Sequence, residues 1–493
     1  MSTGSTVLSV IVSEFDFGKP LEQAIRNIER VGHGVETLPV ELSGSRAAAL
    51  NRAVEAADGE VLLFVPSFID PGPALIRGFL SGFEDGPQVG MVYGDYTIVV
   101  RPDTEVRQTV LAHESDLSEW STTGYVTAVR RDVFASAGGY DPAYQYAEEY
   151  DLRLRITRGC RLGRLPGPLY TLDRASVPLD DERVKQSLRR FFTPESSPKK
   201  GYGYLFCPPD ATREVERAFA AEVQARAAYL EGGTCPVNCP HEGCRPTVSV
   251  IVPTYNRAAY LRRALTSVLC GGYRDFEIIV VDGGSTDGTV EVVAEFQRQC
   301  SAVTLLHNSS HLVATSLNLG LRAARGKYVA QLDSDDEYTQ STLQQSVAYL
   351  EERPDCALAI SYYDFIDDQG RTLDQLGIIK HLEYDRNAIL RTNGAGAVRI
   401  WHRCVLERLG GFDERRFPDY AEDYDMILRL SERYAVGRVP EVLYRCRLHS
   451  SNSDQCLSLE ERARKKALAR ALALTRRTEL SRSRSRAEAS SRG

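Results

Sequence analysis

The chain has 493 residues, of which 43% are hydrophobic and 26% charged, so it is long enough for two or three domains with hydrophobic cores. This composition excludes a chain that is disordered or collagen-like throughout, and its longest apolar runs are strand-sized, well short of the ~20 residues of a membrane-spanning helix. The net charge is −7, but Leu457 to Gly493 carry a local charge of +7, which leaves −14 on the first 456 residues. Such an acidic main body argues against a nucleic-acid-binding protein.

The chain opens on MSTGSTVLSVIV, which has no basic segment and runs directly into a strand pattern. We therefore predict no secretory signal and expect a cytoplasmic protein with reduced cysteines. Strand and helix patterns alternate from there on, which is typical of an α/β fold with a mainly parallel sheet.

A linker with two features follows the first α/β pattern. Ala211 to Leu230 has a strongly helical pattern. The segment TCPVNCPHEGCRP then places Cys235, Cys239, His241 and Cys244 at approximate zinc-ligand spacing. The alternative is a linker with reduced thiols, because a regular pair of C-x-x-C motifs is missing.

A second α/β pattern begins after the linker. Its predicted elements, in chain order, are a strand at Val248–Val252, a helix at Arg257–Leu269, a strand at Phe276–Val281, a helix at Thr289–Gln299 and a strand at Tyr328–Leu332. Ligands of such sheets bind at the carboxyl ends of the strands.

The two α/β patterns are related in sequence. LSVIV matches VSVIV at an offset of 240 residues, ALNRAVEAADGEVLLFV matches SLNLGLRAARGKYVAQL at 267, and AEEYD matches AEDYD at 274. The offsets grow along the chain, which indicates two copies that differ by insertions. The first copy is predicted to lack about 27 residues, which in the second copy include DFEIIVVDGGSTDGTVEVVAEF.

Three polar clusters follow three strands of the second copy: PTYNR (Pro253–Arg257), DGGSTDGT (Asp282–Thr289) and DSDD (Asp333–Asp336). Each alone also fits a turn, a helix cap or a solvated loop. Because all three occur in order at successive strand ends, together they predict a binding site.

The second copy, from Thr247 to Asp454, resembles the glycosyltransferase family 2 enzymes, which have the GT-A fold. The resemblance rests on VSVIVPTYNRAAYLRRALTSV, EIIVVDGGSTDGT, NLGLRAARGKYVAQLDSDDEY, AEDYDMILRL and YRCRLH. It implies an inverting transfer of a sugar from a nucleotide-sugar donor to an acceptor hydroxyl, with Mg²⁺ or Mn²⁺ on the diphosphate. UDP is the expected nucleotide, with GDP or dTDP as alternatives, and the expected acceptor is a saccharide or a lipid-linked acceptor in polysaccharide or glycoconjugate synthesis.

The resemblance also implies which residues bind the nucleotide. By position, Pro253, Thr254 and Tyr255 would cradle the nucleoside, Asp282 would hydrogen-bond the base and Asp333 would reach the ribose.

Four further positions carry the implied chemistry. Asp335 would ligate the metal, which neutralises the leaving diphosphate, and His449 would touch the metal or the diphosphate. Asp423 would be the general base, with Glu422 positioning it or the acceptor. The alternatives remain an ordinary surface histidine and acidic residues that stabilise a helix N-terminus.

The first copy departs from the family pattern at the metal and nucleotide positions. Ser13–Asp16 stand for PTYN, Pro66-Ser67-Phe68 stand for DSD, and Ala175 aligns with His449. Proline and phenylalanine cannot ligate a cation.

The acidic pair persists in the first copy as Glu148-Glu149, but the strand that carries Asp282 is predicted to be deleted. We therefore predict a pseudo-glycosyltransferase domain that scaffolds, dimerises or helps to bind the acceptor. A second, independent transferase site is the alternative.

The predicted organisation has four parts: a degenerate GT-A-like domain at 1–175, a linker at 176–245, a catalytic GT-A domain at 246–456 and a basic helix with a disordered tail at 457–493. The basic helix is predicted over Leu459–Leu480, and SRSRSRAEASSRG is predicted to be disordered. This end is either a solvated helix and tail or a weak peripheral anchor to anionic membrane. A homo-oligomer is also left open.

Three functions are considered for this chain. The sequence favours a metal-dependent inverting transferase with one active site in the second copy. A non-catalytic scaffold or binding protein of two inactive domains is disfavoured by the intact Asp282, Asp333, Asp335 and Asp423. A nucleotidyltransferase would need a Gly-rich loop after the first strand, and PTYNR has no glycine.

Overall fold

The computed structural model describes residues 7–14, 19–41, 44–101, 104–108, 110, 116–118, 123–173, 209–380, 384–449 and 457–491. The chain divides into two compact units, an N-terminal unit (Met1–Arg226) and a C-terminal unit (Ala227–Gly493). Among the described helices, none combines the length and the apolarity needed to cross a membrane.

The N-terminal unit has a six-stranded mixed sheet with the strand order β2-β1-β3-β8-β5-β9 and a smaller sheet with the order β4-β10-β6-β7. Its strands are β1 (Leu8–Ser13), β2 (Glu36–Val40), β3 (Val61–Pro66), β4 (Ile69–Pro71), β5 (Val89–Gly94), β6 (Tyr96–Arg101), β7 (Thr104–Gln108), β8 (Thr127–Arg130), β9 (Arg161–Leu165) and β10 (Tyr170–Asp173). Its helices are α1 (Leu21–Val31), α2 (Arg46–Ala56), α3 (Leu75–Ser81), α4 (Arg131–Ser136), α5 (Glu148–Ile156) and α6 (Pro209–Ala225).

The C-terminal unit has an eight-stranded mixed sheet with the order β13-β12-β11-β14-β17-β16-β18-β15. Its strands are β11 (Val248–Thr254), β12 (Phe276–Asp282), β13 (Val303–His307), β14 (Tyr328–Gln331), β15 (Glu337–Tyr338), β16 (Cys356–Ile366), β17 (Arg399–His402) and β18 (Ala435–Arg447). Its helices are α7 (Ala258–Leu269), α8 (Thr289–Gln299), α9 (Val313–Ala323), α10 (Thr342–Glu351), α11 (Arg403–Arg408), α12 (Glu422–Ser431) and α13 (Leu459–Ser491).

Buried apolar strands form the centre of the C-terminal sheet. β11 and β12 are buried almost throughout, as expected for parallel strands whose two faces are both covered. β13, β12, β11 and β14 run parallel to one another, whereas β17 is antiparallel to β14. The mixed α/β architecture predicted from the sequence is therefore present, with parallel pairs dominating the half that carries the polar clusters.

The six-strand order of the N-terminal sheet recurs in the C-terminal sheet as β12-β11-β14-β17-β16-β18. The register gives β2 the place of β12, because Ser13 pairs with Val40 where Pro253 pairs with Val281. The prediction that this strand is deleted from the first copy is therefore wrong. Between β2 and α2 the described residues contain no counterpart of α8 and β13, so that helix-strand pair accounts for the missing length.

The C-terminal basic segment is one helix, α13, which extends to Ser491 where the sequence predicted a disordered tail. Its Arg, Ala and Glu residues are good helix formers, and these preferences outweigh the interspersed serines. The N-terminal half of α13 packs on the rest of the C-terminal unit: Lys465 pairs with Asp419, and the Arg476 Nε lies 2.6 Å from Glu432 Oε1. At least two of its basic side chains are therefore paired with acidic residues of the same unit.

Arg477 has the most enclosed basic side chain of α13. It is 0% exposed, it donates to the Arg386 carbonyl oxygen at 2.6 Å and to Asn387 Oδ1 at 3.4 Å, and burial lowers its pKa to about 10. Arg477→Ala should lower the free energy of unfolding by about 2–4 kcal/mol, because it leaves buried acceptors without a donor. The exposed Arg482→Ala, on the same helix, should stay within about 0.5 kcal/mol. Thermal unfolding of the full chain tests this, and equal effects of the two substitutions would contradict it.

Candidate functional site

The three polar clusters lie at one edge of the C-terminal sheet. β12, β11 and β14 are neighbours, and Thr254 pairs with Asp282 at the carboxyl ends of their strands. Asp333 follows β14 by two residues. Neighbouring strands are about 4.8 Å apart, so the ends of these three strands form one continuous surface.

The first two clusters hold each other in place. Asn256 has a left-handed backbone with φ of 51°, its amide N–H donates to Ser285 Oγ at 2.8 Å, and its Oδ1 accepts from the Thr286 amide at 2.8 Å. Tyr255 remains 44% exposed and stacks on His311 with ring centroids 5.2 Å apart. The loop therefore presents an aromatic face at the strand ends.

Asp282 is almost fully buried and organises the second cluster. Its carboxylate accepts from the amides of Gly284 and Ser285 at 3.2 Å, and His307 Nδ1 lies 3.7 Å from its Oδ2. Asp282 therefore holds the turn that follows β12, which is the structural alternative considered for this cluster. Its place beside Thr254 also keeps it at the edge where the predicted nucleotide-binding residues lie.

The structure brings Asp335 and His449 together across 114 residues of chain. His449 Nε2 lies 2.9 Å from Asp335 Oδ2, the histidine side chain is 2% exposed, and its ring stacks on Tyr260 with centroids 4.6 Å apart. Arg257 Nε is 3.8 Å from the same carboxylate oxygen. His449 is therefore a fixed member of the site and not an isolated surface histidine.

Arg447, to which the sequence analysis gave no role, holds the DSDD loop. Arg447 is 0% exposed, its amide donates to Asp336 Oδ1 at 2.7 Å, and its side chain donates to the carbonyl oxygens of Asp335 at 2.8 Å and Asp367 at 2.6 Å. Burial, together with the nearby Asp335 and Asp333, raises the pKa of Asp336 well above its ordinary value. Asp336 therefore stabilises the conformation of the DSDD loop, while Asp333 and Asp335 face the site.

Arg399, at the start of β17, connects the remaining acidic residues. Its Nη2 lies 2.6 Å from Asp423 Oδ2, and its Nη1 lies 4.0 Å from Asp333 Oδ2. Burial raises the pKa of Asp333, Arg399 opposes that rise, and the negative charges of Asp335 and Asp423 add to it. The sequence analysis did not identify Arg399, because its position at the start of the strand RIWH carries no local sign of its partner Asp423.

Two strained backbone positions flank this ion pair. Val398, directly before Arg399, has φ of 50°, and Ala421, directly before the acidic pair of α12, has φ of 66°. A β-branched residue in the left-handed region is a genuine outlier, and such strain is concentrated at functional sites. The backbone therefore fixes where Arg399 and Asp423 project.

Glu422 is buried beside Asp423 at the start of α12. Its pKa is raised to about 8, chiefly by burial and then by the charge of Asp423. At pH values between the ordinary pKa of a glutamate and about 8, Glu422 is protonated in the folded chain and ionised in the unfolded chain. The free energy of unfolding therefore falls as pH rises through this range.

Glu422→Gln removes this ionisation. Relative to the wild type, its free energy of unfolding should rise from about zero near pH 4 to about 1–3 kcal/mol near pH 9. Denaturant unfolding of both proteins across this range measures the difference. A difference that does not change with pH would show that Glu422 is ionised in the folded chain.

The donor atoms of Asp335 and His449 fit a divalent cation. Two ligands at a right angle around an ion with ~2.1 Å bonds are ~3.0 Å apart, and these two atoms are 2.9 Å apart. One carboxylate and one imidazole suit Mn²⁺ better than Mg²⁺.

The equivalent edge of the N-terminal unit is different. The register places Pro66 where Asp333 lies, and Phe68 is buried in the core against Tyr125. Glu148 and Glu149 both pair with Arg46 Nη1, at 2.9 and 3.0 Å. Of the other residues compared in the sequence, Phe15, Asp16 and Ala175 lie outside the described part of the chain.

The predicted cysteine cluster is assembled differently from the sequence expectation. Among the described residues, Cys239 groups with His402 and Cys404, and Cys235, His241 and Cys244 are not part of this group. His241 Nε2 instead lies 2.8 Å from Glu407 Oε2.

Comparisons with known proteins agree with the geometry of the C-terminal unit. Residues 249–409 match the family model Glycosyl transferase family 2. This range contains all three polar clusters and Arg399, and it ends before Glu422, Asp423 and His449. The comparisons support a glycosyltransferase for this part of the chain.

Individual relatives are similar over part of their length. An uncharacterized glycosyltransferase of Haemophilus influenzae is 29% identical over 46% of this chain and 73% of its own length. The chondroitin synthase of Pasteurella multocida is 25% identical over 51% of this chain and 26% of its own length. An uncharacterized glycosyltransferase of Nostoc is 36% identical over 36% of this chain and 56% of its own length. The structure of S. aureus TarS in complex with UDP-GlcNAc superposes partially, with a TM-score of 0.37 and 20% identity over 44% of this chain and 64% of TarS.

Proposed function

We propose that the C-terminal unit is an inverting glycosyltransferase of family 2 that moves a sugar from a nucleotide-sugar donor to an acceptor hydroxyl. The observation that carries this proposal is the convergence, at one sheet edge, of an Asp335–His449 pair and an Arg399–Asp423 pair with Asp333 between them. A metal-type donor set beside a separately held carboxylate is what such a transfer requires.

The nucleoside is assigned to the loops after β11 and β12. The exposed Tyr255 ring would offer a face for the base, and Pro253, Thr254 and Asp282 at the adjoining strand ends would complete the nucleoside site. Asp333 is assigned to the ribose. We expect UDP, with GDP or dTDP as alternatives.

Asp335 and His449 are the residues that would hold the cation, Mn²⁺ or Mg²⁺. When bound, such a cation supplies positive charge to the diphosphate that leaves. Arg257, 3.8 Å from Asp335, is a second cation within reach of the phosphates.

Asp423 is assigned as the general base. The acceptor oxygen forms a bond to the anomeric carbon from the face opposite the diphosphate, its proton passes to the Asp423 carboxylate, and the bond from carbon to the diphosphate oxygen breaks. Two contacts orient the carboxylate: Arg399 Nη2 lies 2.6 Å from Asp423 Oδ2, and the Tyr424 amide donates to Asp423 Oδ1 at 2.6 Å.

The N-terminal unit is assigned a non-catalytic role in scaffolding, self-association or acceptor binding. The buried Phe68 stands at the metal position, and the acidic pair is neutralised by Arg46. The chondroitin synthase among the relatives favours polysaccharide or glycoconjugate synthesis as the setting. The acceptor is therefore expected to be a saccharide or a lipid-linked acceptor.

Donor turnover by the purified full chain tests the proposal. UDP-, GDP- and dTDP-sugars are supplied with Mn²⁺, with and without oligosaccharide acceptors, and the released nucleoside diphosphate is measured. NMR of the first-formed sugar should show inverted anomeric configuration. Release from none of the donors, together with no binding of any nucleotide, would favour the non-catalytic scaffold.

A further inference from the structure

A second group of metal-type ligands lies in the C-terminal unit, apart from the proposed donor site. One ligand atom each from Cys239, His402 and Cys404 lies within 4.8 Å of the others. Cys239 belongs to the segment before β11, His402 ends β17, and Cys404 lies in the first turn of α11. His402 is 4% exposed and Cys404 is 2% exposed.

The imidazole of His402 is the most informative member of this group. Both of its ring nitrogens are buried, and neither has a nitrogen or oxygen hydrogen-bond partner among the described residues; the imidazole interacts instead with the thiol of Cys239. Its ring packs against Tyr328 with centroids 4.8 Å apart, which fixes its orientation. A buried polar group without a partner is costly, and a metal–nitrogen bond would satisfy one of these nitrogens.

The group is spatially separate from the proposed donor site. In the β14–β17 ladder, Tyr328 pairs with His402 and Gln331 pairs with Arg399. His402 is therefore three residues from Arg399, or about 10 Å along the strand, at the opposite end from the catalytic edge. An ion held there cannot contact a donor bound at the carboxyl ends of the strands.

The segment that carries Cys239 is already attached to the C-terminal unit by its backbone. The Cys235 amide donates to the Arg433 carbonyl oxygen at 2.8 Å, and the Val237 amide donates to the Pro354 carbonyl oxygen at 2.6 Å. The segment around Cys239 contains no helix or strand, so it has few internal bonds of its own. A metal bridging Cys239 to β17 and α11 would fasten it.

We propose that Cys239, His402 and Cys404 bind a structural Zn²⁺ ion. Thiolate and imidazole ligands select zinc over Mg²⁺ or Mn²⁺, and tetrahedral geometry brings such atoms to less than 4 Å from one another. Two thiolates, a neutral imidazole and Zn²⁺ sum to zero charge, which suits a buried site. Water or another side chain of the same segment completes the shell.

Metal analysis of the purified full chain tests this proposal. The wild type should contain about one zinc per chain, and Cys239→Ser and Cys404→Ser should each reduce it to below about a fifth. Asp335→Ala should retain the zinc, because it alters only the donor site; failure of the proposed transferase function would therefore leave this result unchanged.

Cobalt substitution guards against variants that fail to fold. Wild-type chain stripped of metal and titrated with Co²⁺ should develop a thiolate-to-cobalt charge-transfer band and the visible bands of tetrahedral Co²⁺. Cys235→Ser is the matched control on the same segment and should behave as wild type. His402→Ala should lose the zinc in every case, because His402 is one of the three ligands. Cys244→Ser should lose it only where Cys244 supplies the fourth ligand.

Three outcomes would overturn the proposal. One is a wild type with neither zinc nor a cobalt band. Another is a disulfide between Cys239 and Cys404, seen as a mass lower by two hydrogens that reductant restores. The third is loss of zinc in both Cys235→Ser and Cys244→Ser with retention in His402→Ala, which would assign the ion to Cys235, Cys239, His241 and Cys244.

Discussion

Asp423→Asn should reduce the rate of sugar transfer by about 10²–10⁴-fold while leaving the affinity for the nucleotide within about threefold. Asparagine keeps the shape of the side chain, and its single oxygen can accept from Arg399 or from the Tyr424 amide, which both lie 2.6 Å from the present carboxylate. What it loses is the ability to take the proton of the acceptor hydroxyl. The measurement is nucleoside diphosphate release with acceptor, together with nucleotide titration by calorimetry.

The N-terminal unit provides a matched control for this substitution. Glu149 occupies the same position at the start of α5 as Asp423 does at the start of α12, and it pairs with Arg46 at 3.0 Å. Glu149→Gln should leave the transfer rate unchanged within about twofold. If Asp423→Asn retained the wild-type rate, or if Glu149→Gln lost it, the assignment of the base to the C-terminal unit would be wrong.

Asp335→Ala should abolish the metal-dependent part of both donor binding and turnover. Loss of the cation removes several kcal/mol of charge stabilisation from the leaving diphosphate, so kcat/KM should fall by about 10³-fold or more. His449 loses its partner at 2.9 Å but remains stacked on Tyr260. Titration of activity with Mn²⁺ measures the effect, and the variant should show no activation in the range that saturates the wild type.

Asp374→Ala is the control for this second substitution, because Asp374 is an exposed carboxylate of the same unit. Its Mn²⁺ dependence should match the wild type. An Asp335→Ala variant that kept the wild-type response to Mn²⁺ would remove this residue from the metal site and leave His449 without a role there.

The residues contributed by strand ends were predictable from the sequence. A parallel sheet brings the ends of neighbouring strands to one edge, so Thr254, Asp282 and Asp333 had to lie close together once β11, β12 and β14 were recognised. Arg399 and Arg447 were not predictable in the same way. Their roles depend on contacts between β17 or β18 and residues more than 20 positions away, and no local pattern encodes such contacts.

The error about β2 has a physical cause. Its sequence, ETLPV, combines a proline with a glutamate and lacks the apolar run of a buried strand. β2 lies at the edge of its sheet, where proline is tolerated because one side of the strand needs no ladder hydrogen bonds. Alignment therefore assigned the missing residues to this strand, although the sheet retains it and lacks a following helix and strand.

The cysteine segment shows the same limit for metal sites. Spacing along the chain suggested four ligands within ten residues, whereas the fold brings Cys239 to His402 and Cys404, more than 160 residues away. Only Cys239 is common to both sets. Ligand spacing in sequence is informative when one loop supplies all ligands, and it fails when strands and helices supply them.

The most direct test of the central claim is thermal unfolding of the full chain with UDP, GDP and dTDP, each with and without Mn²⁺, compared with Asp335→Ala. A nucleotide that binds only the folded state raises its apparent stability, by about 2.7 kcal/mol at a concentration of 100 times Kd. The account predicts that one nucleotide stabilises the wild type in a Mn²⁺-dependent manner and that Asp335→Ala loses this effect. No stabilisation by any nucleotide would contradict it and favour a scaffold of two inactive domains.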